Sequence, residues 1–489
     1  MDDLTFMPVH ELARMIRERE TSSLEVVDAY LQKIDKYNSQ LNAICTLDAE
    51  NARQNAKLAD DATSHGESWG VLHGVPITIK DAFETAGLRT TAGYKPLKDY
   101  VPNQDATVVH SLRAAGAIIL GKTNLANASG DYQGFNEIFP RVNNPWNLNY
   151  TPGGSSSGGA AAVAAGLSPL DICSDFGGSI RQPAHFCGIF GLKPTDRRVP
   201  TTCNLPVGVG SIRQMMTVGA LARSVEDLKI CLSIIAGADN RQPDIPPVPL
   251  DIPSKRNLED LRIGWIDEIS IWTVAEDIKL AVQTTVQKLR NAGAQIEREH
   301  LEFDFLAAWQ IYYALSTYIF PLTQTQDFDY FRHNITFLLR EATTGDKALR
   351  QISNIPNIAF PIGLNPTLKG YFEILQERDR LVSQMDRELE KWDVWLCPVA
   401  ITPAFTHRPQ GVAVEVDNRK VPYQMANGAY TVPFNLTGHP VVVIPIGQTK
   451  NGLPIGMQLV GKRWKEMELL SIAQKISEVT QSFEYPLGY

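Results

Sequence analysis

The 489-residue chain lacks most features that mark specialised protein classes. It has no run of 18 or so uncharged apolar residues, the length a helix needs to cross a bilayer. The nearest approach, Leu306 to Phe320, is too short to span. It has no surplus of basic residues: 46 Lys and Arg against 54 Asp and Glu leave a net charge of −8. A nucleic-acid partner, whose phosphates call for a basic face, is therefore not expected. The six cysteines include no Cys-x-x-Cys pair, which points to reduced, mostly buried thiols in a cytoplasmic protein rather than a disulfide framework. Met1 to Glu20 carries acids and bases throughout and lacks the apolar core of a signal peptide. Repeats and low-complexity tracts are missing too, and nothing calls for a metal ion or a cofactor. What remains is ordinary globular text, 44% apolar and 20% charged, able to bury a large core.

Helix-like and strand-like segments alternate along that text. Val9 to Glu20 and Ser23 to Tyr37 read as amphipathic helices, the second opened by Ser22 with Glu25 behind it as a cap. Asp48 to Asp61, Ala106 to Ala115, Val225 to Ala236 and Asp277 to Ala292 are further helices. Val75 to Lys80, Ala117 to Leu120, Leu170 to Ser174, Leu261 to Ile266, Val441 to Pro445 and Pro454 to Val460 read as strands. This alternation predicts an α/β class: one large α/β/α domain over 1–489, with a mixed twisted sheet covered by helices on both faces. A Pro-rich connector falls at 242–254. Residues 303–420 read as an irregular, aromatic-rich variable cap.

Three patterns bear on chemistry. Gly116-Ala-Ile-Ile-Leu-Gly121-Lys122-Thr123 matches the phosphate-loop spacing, but a helix precedes it and its central residues are strand formers. A nucleotide-binding role is set aside in favour of a buried strand with a solvated lysine just past it. Gly154-Ser155-Ser156-Ser157-Gly158 fits the nucleophile elbow of α/β-hydrolase esterases. That elbow needs a strand directly before it and a later histidine, yet Pro145 to Pro152 is a poor strand, and His407 and His439 read as structural. The third pattern joins two glycine-flanked serines, Ser155 and Ser179, to Lys80 at the end of an apolar strand. Glycine lets backbone N–H groups approach a ligand, and serine among such donors suits acyl transfer. Lysine in apolar surroundings can lose its proton and act as a base. The Ala160 to Gly166 run argues for a closely packed helix, not for a flexible linker.

At this point the chain resembles the amidase signature enzymes. The match is carried by Gly74 to Asp81, Gly121-Lys122-Thr123-Asn124, Asn144-Pro145-Trp146, Pro152 to Gly166, Asp175 to Arg181 and Gly191 to Thr195. A weaker tail match is Asn435 to Gly438 with Gly452 to Gly456; order and spacing hold over about 5–245 and 370–475, and the core signature covers about 70–240. The resemblance implies a Ser-cisSer-Lys triad, with Ser179 as nucleophile, Ser155 as relay after a cis peptide bond, and Lys80 as general base. It further implies an oxyanion hole from the N–H groups of Phe176, Gly177, Gly178 and Ser179. Ser129, Gly130 and Asp131 would line the substrate site, while Ser156, Asp175 and Arg181 would support it. For Asp175 and Arg181 a plain structural hydrogen-bonding role is equally open.

The chain departs from the family pattern in places. Ser174-Asp175 stands where many members have Thr-Asp, with Phe176 next, and Asn127 replaces a common glutamate. Ser157 and Gly159 exchange the more usual Gly and Ser. The resemblance implies hydrolysis of a small-molecule carboxamide through a seryl acyl-enzyme. Trp309, Tyr312, Tyr313, Tyr318 and Phe320 suggest an apolar or aromatic substrate, or else a cap packed on the core. The alternative within the family is the glutaminase component of a tRNA amidotransferase. Tyr313 to Tyr318 matches that component's Tyr-Ala-Leu-Ser-Ser-Gly-Tyr-like segment only in part. A homodimer is compatible with the sequence.

Overall fold

Short apolar strands, each bounded by glycine, proline or polar turns, assemble into one mixed sheet of eleven strands. The structure, a computed structural model, describes residues 4–205, 214–323, 328–353, 367–480 and 483–489. In chain order the strands are β1 (Ile44–Leu47), β2 (Pro76–Lys80), β3 (Ile118–Thr123), β4 (Leu170–Asp175), β5 (Phe190–Lys193), β6 (Thr217–Ala222), β7 (Arg262–Trp265), β8 (Gln295–Arg298) and β9 (Val394–Pro398). A separate hairpin holds β10 (Val414–Val416) and β11 (Arg419–Val421), and β12 (Val441–Gln448) and β13 (Pro454–Val460) complete the set. The spatial order is β1-β3-β2-β4-β6-β5-β12-β13-β9-β7-β8, so both halves of the chain build one sheet. β2 runs parallel to both β3 and β4, whereas β12 and β13 pair antiparallel with each other and with their other neighbours.

Strands buried on both faces read as continuous apolar runs, and β2, β3, β4, β6 and β13 are buried at every position. The helices Ser157–Ala164 and Arg181–Cys187 pack on β4, β5, β12 and β13, while Val225–Ile235 and Glu466–Thr480 pack on β6 and β12. The first of these helices is buried along its whole length. A Cβ on its Gly158 would lie 2.3 Å from the Ala43 carbonyl oxygen, so the Gly-Ala run is what lets the helix sit flush on the sheet. The expected capping box of the second N-terminal helix is present, with the Ser22 side chain accepting from the Glu25 N–H and the Glu25 carboxylate from the Ser22 N–H. Among the described residues no helix is long and apolar enough to cross a membrane.

Two expectations are corrected. Lys122 is not a solvated residue past a strand; it lies inside β3 and is fully buried. The described residues of 303–420 are not irregular: helices run over Phe305–Thr323, Phe328–Thr343, Lys347–Ser353 and Leu368–Glu390, and β9 within this stretch belongs to the main sheet. Aromatic residues have modest intrinsic helix propensity, so a helix built on Trp309, Tyr312 and Tyr313 depends on packing that composition does not reveal.

Candidate active site

β2 and β4 are parallel neighbours, and their carboxyl ends carry Lys80 and Asp175. In open α/β sheets that edge is where ligands bind, because the loops leaving the strands gather there. The Pro152–Ser156 segment enters the same place just before the buried helix, and the Gly154–Ser155 peptide bond is cis. Lys80 Nζ donates to Ser155 Oγ at 2.7 Å and to Ser174 Oγ at 3.3 Å. Ser179 is adjacent: its carbonyl accepts the Ser156 N–H at 3.3 Å. Lys80 and Ser155 are fully buried, whereas Ser179 keeps 9% of its surface exposed, the most of the three. Burial pulls the Lys80 ammonium down to about 8, against the opposing pull of Cys173, Asp171 and Asp175.

The 176–179 turn is fastened from several sides. Gly178 has φ +126°, and a Cβ there would also meet the Thr431 side chain at 2.7 Å. The Gly177 carbonyl accepts from Tyr132 Oη at 2.9 Å and from Thr431 Oγ1 at 2.6 Å, and Tyr312 Oη donates to the Phe176 carbonyl at 3.3 Å. With their oxygens held, the peptide groups turn their N–H sides elsewhere. The Gly178 N–H donates to Asp175 Oδ1 at 2.8 Å. Among the described residues no acceptor is recorded for the Gly177 or Ser179 N–H.

Asp175 and Arg181 anchor this turn. The Asp175 carboxylate also takes the Ile180 N–H at 3.0 Å, Arg181 Nε at 3.1 Å and Nη2 at 2.9 Å, and Asn435 Nδ2 at 2.9 Å. Burial alone would raise its pKa, but the Arg181 charge and hydrogen bonds, with Asn435 and Ile180, outweigh it and hold the group well below the usual carboxylate range. Arg181 continues to the Thr431 carbonyl, Gln458 Oε1 and Asn435 Oδ1. Removing one partner of such a buried pair would strand the other charge.

The remaining sequence-predicted residues lie along one loop. The Ala126 N–H donates to the Ser155 carbonyl at 3.2 Å, and a Cβ on Gly154 would meet the Asp131 carbonyl oxygen at 2.7 Å, so residues 126–133 abut the serine segment. Ser129 is half-buried, Gly130 exposed and Asp131 half-buried. Asp131 Oδ1 accepts from the Tyr132 N–H at 2.8 Å and Tyr423 Oη at 2.6 Å, and burial pushes its carboxyl up to about 7. Of the aromatic stretch, Trp309 is core, tilted against Trp272, while the Tyr312 ring stands 5.6 Å from Phe176; the Phe320 side chain lies outside the described residues. His185 and His439 are buried on other partners, Thr402 and Gly456 for the first and Thr437 and Asp386 for the second. Sequence reading did not single out Ser174, Tyr132, Thr431 or Tyr423. Ser174 alone had a usable signal, its place beside Asp175.

A buried lysine of lowered proton affinity, a serine hydroxyl bonded to it, and a second serine whose backbone is bonded to the next residue of that segment are the groups acyl transfer calls for. Two N–H groups with no acceptor among the described residues, those of Gly177 and Ser179, are donors of the kind that a developing negative oxygen calls for. The family model described as Amidase matches residues 25–470. A curated relative from Roseiflexus castenholzii, named as a component of glutamyl-tRNA(Gln) amidotransferase, is 34% identical over 504 aligned positions covering 98% of this chain and 97% of its own. A solved structure titled "Crystal structure of amidase" superposes with a TM-score of 0.79 at 27% identity, covering 97% of this chain and 100% of its own. A 6-aminohexanoate cyclic dimer hydrolase complexed with substrate has the same fold, with a TM-score of 0.79 at 24% identity over 100% of this chain and 99% of its own.

Proposed function

Because this chain belongs to the amidase signature family, we propose that it cleaves a carboxamide C–N bond through a seryl ester on Ser179. Neutral Lys80 takes a proton from Ser155 as Ser155 takes one from Ser179, and Ser179 Oγ attacks the carbonyl carbon. The tetrahedral oxygen is met by the Gly177 and Ser179 N–H groups. Each such donor is worth roughly 3–4 kcal/mol in the transition state. The Lys80 proton returns through Ser155 to the departing nitrogen, and water then cleaves the ester. The observation that carries the reading is the Lys80–Ser155 hydrogen bond of 2.7 Å at a fully buried lysine beside a reachable serine.

Two substrate readings have support. The relatives' name favours a glutaminase, the ammonia-releasing component of an amidotransferase. The Phe176–Tyr312 ring pair favours a stand-alone amidase for apolar or aromatic amides, and the solved structures bear on fold rather than on substrate. Ammonia release from glutamine and from alkyl and aryl carboxamides, with aniline release from anilides, separates them. Turnover of glutamine above all others supports the first; turnover of aryl amides with glutamine inert supports the second. Hydroxamate formation in hydroxylamine tests the acyl-enzyme in either case, and its absence on every cleaved substrate would remove the seryl ester.

A further inference from the structure

Beneath Lys80 lies a second buried carboxylate that the reaction scheme does not use. Asp171 sits on β4 directly across from Thr78 on β2, and Lys80 follows Thr78 on the same face, since alternate strand residues share a face. Thr123, which pairs with Lys80 in the β2–β3 register, also reaches this carboxylate. Asp171 Oδ1 accepts from Thr78 Oγ1 at 2.7 Å and Thr123 Oγ1 at 3.1 Å, and Oδ2 accepts from Cys173 Sγ at 2.9 Å. All of these residues are fully buried. The carboxylate fits there because residue 159, on the helix laid across the sheet, is glycine: a Cβ at that position would lie 2.0 Å from Asp171 Oδ2 and 3.2 Å from its Cβ. An alanine would push the carboxylate off its donors.

We propose that Asp171 is a positioning residue for Lys80, a buried negative charge that Gly159 admits on the sheet face carrying the lysine and that favours the lysine's charged form through space. The inference rests on the reading of Lys80 as general base. The titratable groups around that nitrogen are Asp171, Cys173 and Asp175, all from β4; Lys122 from β3 acts on Asp171 in turn, and the helix Ser157–Ala164 contributes no charge. Asp171 opposes the effect of burial on Lys80, and Lys80 in turn favours the ionised form of Asp171, whose own carboxyl burial pushes up to about 6.

The test is the pH dependence of kcat/KM. In Asp171→Asn the lysine loses a favourable charge, so the acid limb moves to lower pH by ~1 unit. Gly159→Ala lowers Tm while Asp171 is present, and Gly159→Ala with Asp171→Ala recovers it while keeping the limb at low pH. The double variant carries the test if Asp171→Asn does not fold. A limb that stays in place while Tm falls in Asp171→Asn and in the double variant would make Asp171 structural and overturn the proposal. Failure of the base reading looks different: full activity in Lys80→Met, or a parent enzyme without an acid limb.

Discussion

Two lysines on adjacent strands make the most instructive comparison in this molecule. Lys80 on β2 and Lys122 on β3 are both fully buried, and burial brings each down to about 8. Their partners differ. Lys122 Nζ donates to the Phe83 carbonyl and to Thr85 Oγ1 and Thr90 Oγ1, both at 3.0 Å, so its three donor directions end on fully buried oxygens that lead nowhere. Lys80 donates to two serine hydroxyls, Ser155 and Ser174, and the residue after Ser155 bonds the Ser179 carbonyl through its N–H. Proton affinity alone does not make a base. A relay that reaches the surface does, and on this reading Lys122 is a structural pin for the 81–91 turn while Lys80 works.

Breaking the working side should cost most. Ser179→Ala is expected to lower kcat by ~10⁴–10⁶-fold with Tm unchanged within a degree or two, measured by ammonia release and thermal unfolding. Lys80→Met should lose ~10⁴-fold and stay folded. Lys122→Met gives the contrast: ~2–4 kcal/mol of stability lost, because buried acceptors and Asp81 lose their cation, with the acid limb of the pH profile unmoved. That limb is the next expectation. With Lys80 near 8, kcat/KM rises with pH through about 8 as the ammonium deprotonates, and a maximum near pH 5 would contradict a lysine base. Asn435→Ala leaves Asp175 and Arg181 one partner short and should cost ~1–3 kcal/mol in stability, with kcat falling more than KM rises because the turn holding the N–H donors loosens. The smallest effect is expected from Tyr312→Phe, about 1 kcal/mol in kcat/KM for the hydrogen bond to the Phe176 carbonyl.

The comparison also shows what the sequence could tell. The strand ending on Lys80, the glycine-serine segments and strands such as Pro454–Val460 were legible because local pattern and composition specify them. The burial of Lys122 was not: its three acceptors lie 32 to 39 residues upstream, in a turn with no periodic signal. The bond from the Gly178 N–H to Asp175 was equally hidden, since it depends on how the Asp175 carboxylate curls over the turn. Tyr132 and Thr431 converge on the Gly177 carbonyl from 45 and 254 residues away. Such convergence is a property of the packed sheet, not of any segment, which is also why the cap helices read as irregular text.

The account stands most directly on which oxygen becomes acylated. Enzyme quenched in acid during turnover of a cleaved amide, then digested and analysed by mass spectrometry, should carry the acyl group on the peptide at Ser179, and Lys80→Met should carry none. An adduct on Ser155 or Ser156, or one that forms undiminished without Lys80, would contradict it.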